Sequence, residues 1–196
     1  MAYEELKSSG ITASTPENIM LGAGTIHRGL ALENGVWNFE ESLIGATSGG
    51  SKVSIVPEFT PIEVDGALVK VKGLNPKTGE TATMEVNFVE MTPEILQMAT
   101  VGTVGVSEDY EGYTEIISKA RIEEGDYIQN LGYVGKKIDG TPIIIIFDWA
   151  LCTSGFETEG KNKEAGVFTG TFECVADISP EADTLPWHIL YPTPTV

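Results

Sequence analysis

The sequence predicts a mainly β protein: an antiparallel β-sandwich or partial barrel with one short flanking α-helix, at about residues 92–99, and extended arms. Three observations lead to this fold class. Residues 81–88 alternate strictly between polar and apolar side chains, residues 142–178 have the pattern of a long hairpin, and only residues 92–99 carry clear helix signals. Runs of strand patterns with a single helix are typical of packed antiparallel sheets.

The chain divides into one domain and two arms. Residues 1–18 are small and polar and predict an N-terminal arm, residues 19–192 predict a single β-sandwich domain, and residues 193–196 predict a C-terminal tail. Residues 19–32 have the pattern of a first strand, with glycines where another backbone approaches closely. The N-terminus lacks the apolar segment of a signal peptide, and we expect no membrane association because no apolar run has the length of a span.

The stretch GATSGGSK, residues 45–52, superficially resembles a phosphate-binding loop. Gly45 and Gly50 have the spacing of that motif, but Ser51 precedes Lys52, which inverts the required order. The residues that follow are β-branched and contain two prolines, so no helix N-terminus is available to bind a phosphate. A nucleotide site is therefore not predicted here.

A hairpin is predicted after this stretch. Residues 52–64 are rich in β-formers, and Pro57 and Pro61 mark them as a bent or edge strand. Asp65-Gly66 is a turn signal that predicts a return strand at residues 68–72. In the next strand, one face is predicted to be wet and the other packed. The wet face holds Thr81, Thr83, Glu85 and Asn87, and the packed face holds Ala82, Met84, Val86 and Phe88.

The helix at residues 92–99 has identifiable ends. Thr92 is a natural N-cap, Pro93 suits the first turn, Glu94 favours the positive end of the helix dipole, and Gly102 is suited to terminate it. Residues 113–122 are ambiguous between helix and strand, whereas residues 126–134 favour a strand.

The last hairpin places the two cysteines together. If its turn is centred near residue 163, Cys152 directly faces Cys174 on the neighbouring strand. The same apolar face then collects Ala150, Phe156, Phe168, Phe172 and Ala176. We therefore predict buried, reduced cross-strand thiols, because buried cysteine behaves as a small apolar residue.

Charge is the strongest feature of the composition. The chain has 12 Lys and Arg against 29 Asp and Glu, for a net charge of −17. Because nucleic acids are bound mainly through basic side chains, such a chain is predicted to repel DNA. Two interpretations stay open: solubility, or a surface that must not adhere to a polyanion.

No catalytic, cofactor-binding or metal-binding residues are predicted. The two histidines, His27 and His188, are far apart in sequence, and two cysteines are too few for a zinc site. A cysteine hydrolase is argued against by the predicted burial of both thiols. The sequence therefore predicts no enzyme.

The order of the segments resembles the major tail tube protein of long-tailed, siphophage-type bacteriophages. The segments are GATSGG, EVDG, VKG, the alternating strand, TPEIL, DYIQN, FETEGKNKEAGVFTGTFEC and PWHILYP, over roughly residues 19–192. The resemblance implies a β-sandwich or partial barrel with a flanking helix. It also implies rings, usually hexameric, that stack into a hollow tube through which DNA passes during injection.

Further expectations follow from this resemblance. Strands of all subunits join an inner barrel, loops and terminal arms bridge neighbouring rings, and the lumen is acidic. The family has no enzymatic activity. Partners would be other copies of the chain, a tape-measure protein, and tail-terminator or tail-tip proteins, with DNA passing through without specific binding. The location would be the virion tail, assembled in the host cytoplasm.

These expectations select candidate residues. Glu85 is the first candidate for a luminal acid because it lies on a small, polar strand face, and Glu58, Glu63 and Asp65 are second choices. In an assembly, small residues would let the GATSGG loop lie against a neighbour; the alternative is a mobile surface loop without a partner. The candidate inter-subunit loop residues are Gly45, Gly49 and Gly50.

A function from a different class is also open. A monomeric β-sandwich that binds carbohydrates or a surface would need exposed aromatic side chains, for which Trp37 and Trp187 are candidates. Trp149 lies in an apolar strand and is predicted to be part of the core.

Overall fold

The structure is a computed structural model that describes residues 9–178 and 183–193. Most of the predicted C-terminal tail and the first eight residues of the predicted arm lie outside these residues. The described part contains eleven strands and one α-helix. They are β1 (Met20–His27), β2 (Leu32–Glu33), β3 (Val36–Trp37), β4 (Thr47–Phe59), β5 (Lys77–Phe88), α1 (Pro93–Thr100), β6 (Gly102–Val106), β7 (Thr114–Ser118), β8 (Ile128–Lys137), β9 (Pro142–Cys152), β10 (Phe168–Cys174) and β11 (Trp187–Leu190).

One curled, antiparallel sheet forms the body of the molecule. Its strand order is β1-β8-β9-β10-β5-β4, and β11 pairs with the free part of β9. The sheet curls so far that its two ends meet: the Ile44 amide donates to the Ile26 carbonyl at 3.1 Å, and the Arg28 amide donates to the Ser42 carbonyl at 2.8 Å. The predicted class is confirmed, as a half-barrel with one helix.

Helix α1 begins as its sequence predicts. The Thr92 side chain accepts a hydrogen bond from the Ile95 amide at 3.2 Å, which satisfies one of the free donors of the first turn. The end differs from the prediction, because Val101 adopts the left-handed conformation (φ 51°) and Gly102 already belongs to β6. The helix buries Ile95, Met98 and Ala99 against the inner side of the curled sheet.

The main core fills the inside of the curl. The predicted packed face of β5 is entirely buried, and its last residue, Phe88, stacks on Phe168 at 5.9 Å and meets Phe172 edge-on at 6.3 Å. Offset-stacked and edge-to-face aromatic pairs add to the stabilisation that burial alone provides. Ile26 from β1 belongs to the same cluster as these residues of β5 and β10, which is a consequence of the curl.

Strands β8 and β9 are covered on both faces. Asn130 has a left-handed φ of 48°, and its neighbours Ile128 and Leu131, three residues apart, both point into the main core. On the opposite side a second cluster of Leu30, Val134, Ile144 and Ile146 lies beneath Trp37 and Phe39. The small β2–β3 ribbon therefore acts as a cover for the back of the sheet.

The hairpin predicted at residues 52–72 has different dimensions in the structure. The return strand predicted at residues 68–72 is not formed; β4 instead pairs with β5, and residues 60–76 connect them. We call this connection the tip hairpin, because hydrogen bonds from Ile62 to Leu74 (2.8 Å) and from Thr60 to Pro76 (3.2 Å) keep its arms together. The predicted turn exists at its end, where the Ala67 amide donates to the Val64 carbonyl.

Candidate assembly surfaces

Glu85 lies on the outer face of the sheet, as its alternation predicts. It is exposed on β5, opposite Lys52 of β4 on one side and Thr171 of β10 on the other. Directly opposite residues in antiparallel strands share a face, so these side chains form one polar surface. We call the outer side of β4, β5 and β10 the polar face.

The polar face contains two charges that the sequence did not associate with Glu85. Glu173 of β10 pairs with Thr83, two residues from Glu85 along β5, and adds a second acid. Lys52 lies directly across from Glu85, yet the two side chains are not within ion-pair distance. Pairing of β10 with β5 links residues 80 or more positions apart, which is why the sequence alone did not reveal Glu173 as a neighbour of Glu85.

The second-choice acids are not brought together with Glu85. Glu58 shares the polar face but pairs with Gly79, about 20 Å along β5 from Glu85 at the rise of an extended strand. Glu63 and Asp65 lie in the tip hairpin, beyond the end of the sheet, and are exposed. The structure thus joins Glu85 with Glu173 and separates both from the acids of the tip.

The glycine-rich stretch is a bulged strand rather than a loop. Gly49 and Gly50 lie inside β4, with φ angles of 80° and 85°, and the pairing register with β5 shifts between Thr47 and Ser51. Only glycine adopts such angles without strain, and bulges of this kind disrupt the pairing capacity of an edge strand.

Gly45 precedes β4, and contacts within its own subunit leave no room for a side chain at this position. A Cβ atom at this position would lie 2.9 Å from Glu90 Oε2 and 3.3 Å from Ile95 Cδ1. The same Glu90 oxygen accepts a hydrogen bond from the Ala46 amide at 3.2 Å. The close approach that the glycine permits is therefore made by the chain to itself; a contact of this stretch with another subunit stays a prediction.

Both thiols are buried on neighbouring strands, but their register differs from the prediction by two residues. Cys152 pairs with Phe172, and Cys174 pairs with Ala150. The predicted register depends on a symmetric turn centred near residue 163, whereas the connection at residues 153–167 is asymmetric. An even shift keeps side chains on the same face, so both residues still belong to the main core.

The surroundings of Cys174 make its thiol unreactive. Burial raises its pKa to about 12, and the negative charges of Asp148, Glu80 and Glu173 act in the same direction. The thiolate is the nucleophilic form of cysteine, and at neutral pH it is almost absent here. This environment does not suit a catalytic cysteine.

We therefore expect Cys174 to resist a thiol reagent in the folded protein at pH 7.5 and to react promptly after denaturation. A Cys152→Ala, Cys174→Ala double variant should fold, with a loss of about 1–2 kcal/mol in the free energy of unfolding from lost core contacts. Mass spectrometry after timed alkylation, with each single variant as a control, measures this protection. Rapid modification of Cys174 at native conditions would contradict the packing described above.

A buried polar group that the sequence did not predict lies where the sheet closes. His27 is only 2 % exposed; its Nδ1 lies 2.9 Å from Ser42 Oγ and its Nε2 lies 2.8 Å from Thr25 Oγ1. Ser42 donates its hydroxyl proton to the Asn38 carbonyl at 2.7 Å. Ser42 Oγ must then accept from His27 Nδ1–H, which leaves Nε2 to accept from Thr25.

This arrangement is structural rather than nucleophilic. In a serine nucleophile the hydroxyl proton is directed at the imidazole, whereas the proton of Ser42 is directed at a backbone carbonyl. Burial lowers the pKa of His27, which keeps the ring neutral at physiological pH. The group ties β1 to residues 42–44 at the point where the half-barrel closes.

The three tryptophans lie in different surroundings. Trp187 packs on the main core, and its indole Nε1 donates to Glu80 Oε2 at 3.0 Å. Trp37 stacks on Phe39 at 6.1 Å over the second cluster. Trp149 was predicted to be part of the core; it is instead half-buried, beside Asp148 and His188.

The described ranges contain neither a cluster of metal ligands nor a membrane-spanning helix. No group of three or more His, Cys, Asp or Glu side chains in them is arranged to hold a metal ion. No helix within residues 9–178 and 183–193 combines the length and apolar character needed to cross a bilayer.

Comparison with known proteins finds similarity among solved structures and none among family models or curated sequences. No family model matches the sequence, and no curated protein sequence matches it. Among solved structures, a chain from the "Virion of native gene transfer agent (GTA) particle" is similar over 79 % of this chain and 92 % of that chain, with 11 % sequence identity and a TM-score of 0.41. A TM-score of this size is too low to support any inference about this chain.

Proposed function

We propose that this chain is a structural virion protein of the tail-tube type. Copies of it assemble into stacked, hexameric rings that enclose a channel for DNA. The assembling unit comprises residues 19–192, with the arms at residues 1–18 and 193–196 available to bridge neighbouring rings. Its further partners would be a tape-measure protein and tail-terminator or tail-tip proteins. The order of sequence segments supports the family, and the structure supports the capacity for self-association.

The observation that carries this proposal is the apolar surface of the tip hairpin. Its large apolar side chains face solvent, with Leu68 98 % exposed and Val69 79 % exposed. Ile62, Val64 and Val71 are exposed beside them. Monomeric soluble proteins rarely expose clustered apolar side chains of this kind, whereas surfaces that bind another protein commonly do. The chain has 29 acidic residues, so the exposed apolar cluster does not result from a lack of polar residues. A specific contact with another protein surface explains it better.

The polar face supports the second half of the proposal. In the described residues it carries the acids Glu58, Glu85 and Glu173 against the single base Lys52. Its remaining side chains are mostly short and polar. A wall of this composition would let a polyanion pass without binding it, because phosphate binding depends on basic side chains. The polar face is therefore our candidate for the channel wall.

Assembly is the direct test. We expect purified protein to stay monomeric at low concentration, since ordering of arms and loops opposes association, and to form rings or tubes as concentration rises. Light scattering and negative-stain electron microscopy across a concentration series measure this transition. A tail-tip complex supplied as an initiator should lower the concentration required. Monomers at every concentration, with the initiator present, would overturn the proposal.

A further inference from the structure

We propose that the tip hairpin of one copy docks into an apolar groove at the opposite end of the next copy. The inference rests on the proposed function and names the two surfaces through which copies join. The groove, which we call the docking groove, lies between α1, β7 and the connection that follows β9. It is lined by Leu96, Thr100, Ile116, Ser118 and Phe156.

The two surfaces lie at opposite ends of the half-barrel. Phe59 pairs with Lys77 where the tip hairpin begins, and Thr47 pairs with Phe88 at the other end of the same two strands. The Phe156 ring in the docking groove is 5.2 Å from that of Phe168, which pairs with Phe88. The eleven steps from Lys77 to Phe88 correspond to about 36 Å of extended strand.

This geometry determines what kind of assembly the contact produces. The hairpin and the groove are different surfaces, so one contact leaves a free hairpin on one copy and a free groove on the other. Contacts between unlike surfaces continue from copy to copy until a ring closes or an open stack forms. Because the surfaces are separated along the strands, the repeat runs along the length of the half-barrel.

The chemistry of the two surfaces is complementary. The residues lining the groove include no charged side chain, which suits the exposed apolar side chains of Leu68 and Val69. The acids of the tip hairpin, Glu63 and Asp65, lie on its outgoing arm and at its turn. The returning arm carries Lys70 and Lys72, which form no ion pair with any described residue. Glu157, next to Phe156 at the groove, is likewise without an ion partner among the described residues. An apolar contact flanked by opposite charges provides both affinity and orientation.

A pair of complementary variants tests the contact. Leu68→Asp with Val69→Asp disables the hairpin and leaves the groove intact, whereas Ser118→Trp fills the groove and leaves the hairpin intact. These positions are exposed, so both proteins should fold, which circular dichroism and thermal unfolding verify. Each variant alone should assemble only as far as the oligomer that forms without the hairpin–groove contact. An equimolar mixture should form particles of twice that mass and no longer stacks.

The outcomes distinguish the contact from its alternatives. Val36→Asp, the same apolar-to-acid change at another exposed position, should assemble like the unaltered chain. If both test variants assemble as the unaltered chain does, the docking contact is wrong while the proposed function stands. If the mixture fails to double in mass although each variant is blocked, hairpin and groove do not bind one another. If the unaltered chain itself never assembles, the proposed function fails.

A charge reversal gives a second, milder measurement. Lys70→Glu with Lys72→Glu should raise the concentration required for assembly by about tenfold, because like charges then face each other across the contact. Adding Glu157→Lys to the same chain should recover part of this loss. An unchanged assembly threshold in the Lys70→Glu, Lys72→Glu variant would exclude the proposed orientation of the hairpin.

Discussion

Replacing Phe88 with alanine is expected to lower the free energy of unfolding by about 3–5 kcal/mol, the range for removing a buried aromatic ring. Phe88 is fully buried, stacks on Phe168 and meets Phe172 edge-on. The smaller side chain leaves a cavity between β5 and β10, because strands fixed by backbone hydrogen bonds on both sides collapse only partially. Denaturant unfolding at a concentration below assembly measures the loss.

A matched control is Tyr113→Ala, which removes an aromatic ring that is 71 % exposed. This substitution should change stability by about 0.5 kcal/mol or less, as is usual for exposed positions. If Phe88→Ala also cost less than about 1 kcal/mol, the ring would not be part of a close-packed core. The pairing of β5 with β10, on which the polar face depends, would then also be in doubt.

The sequence predicted β5 correctly because its pattern is local. The alternation of residues 81–88 depends only on a period of two and one dry face, and the structure confirms every assignment on that strand. The start of α1 was equally local, since Thr92 caps a helix through an amide only three residues away. Such signals depend only on residues that are close together in the sequence.

The errors concern relations between distant segments. The predicted register of β9 and β10 is wrong by two residues because it depends on the course of residues 153–167, and this connection is not a symmetric turn. Glu173 was missed as a neighbour of Glu85 because pairing of β10 with β5 brings them together across the sheet. His27 gave no signal either, since its partners Thr25 and Ser42 are common residues that become meaningful only when the sheet closes.

The glycines of β4 limit the capacity of this strand to pair with another strand edge. A bulge at Gly49 and Gly50 and the missing donor of Pro57 both weaken the pairing capacity of this strand, although within the described chain only β5 pairs with it. In a protein that assembles, such features prevent uncontrolled edge-to-edge growth. Association is then left to specific surfaces, of which the tip hairpin is our candidate.

The second large effect concerns the channel. If the polar face lines it, Glu85→Lys on every copy should leave assembly intact and strongly reduce DNA ejection. Like charges at a cross-strand pair cost about 0.2–1 kcal/mol, so the lysine opposite Lys52 is tolerated by the fold. Duplex DNA carries a charge about every 1.7 Å along its axis, and each ring would present it with new cations. A contact worth about 1.4 kcal/mol slows each sliding step about tenfold.

The measurement is the fraction of particles that eject their DNA, with tube formation checked separately by electron microscopy. Glu85→Gln should give an intermediate result, since it removes an acid without adding a base. Glu111→Lys makes the same change in net charge in the turn between β6 and β7, away from the polar face, and should eject normally. If well-formed tubes carrying Glu85→Lys also eject normally, either Glu85 does not face the channel or the charge of the wall is immaterial. In either case, solubility would be the better explanation of the net charge of −17.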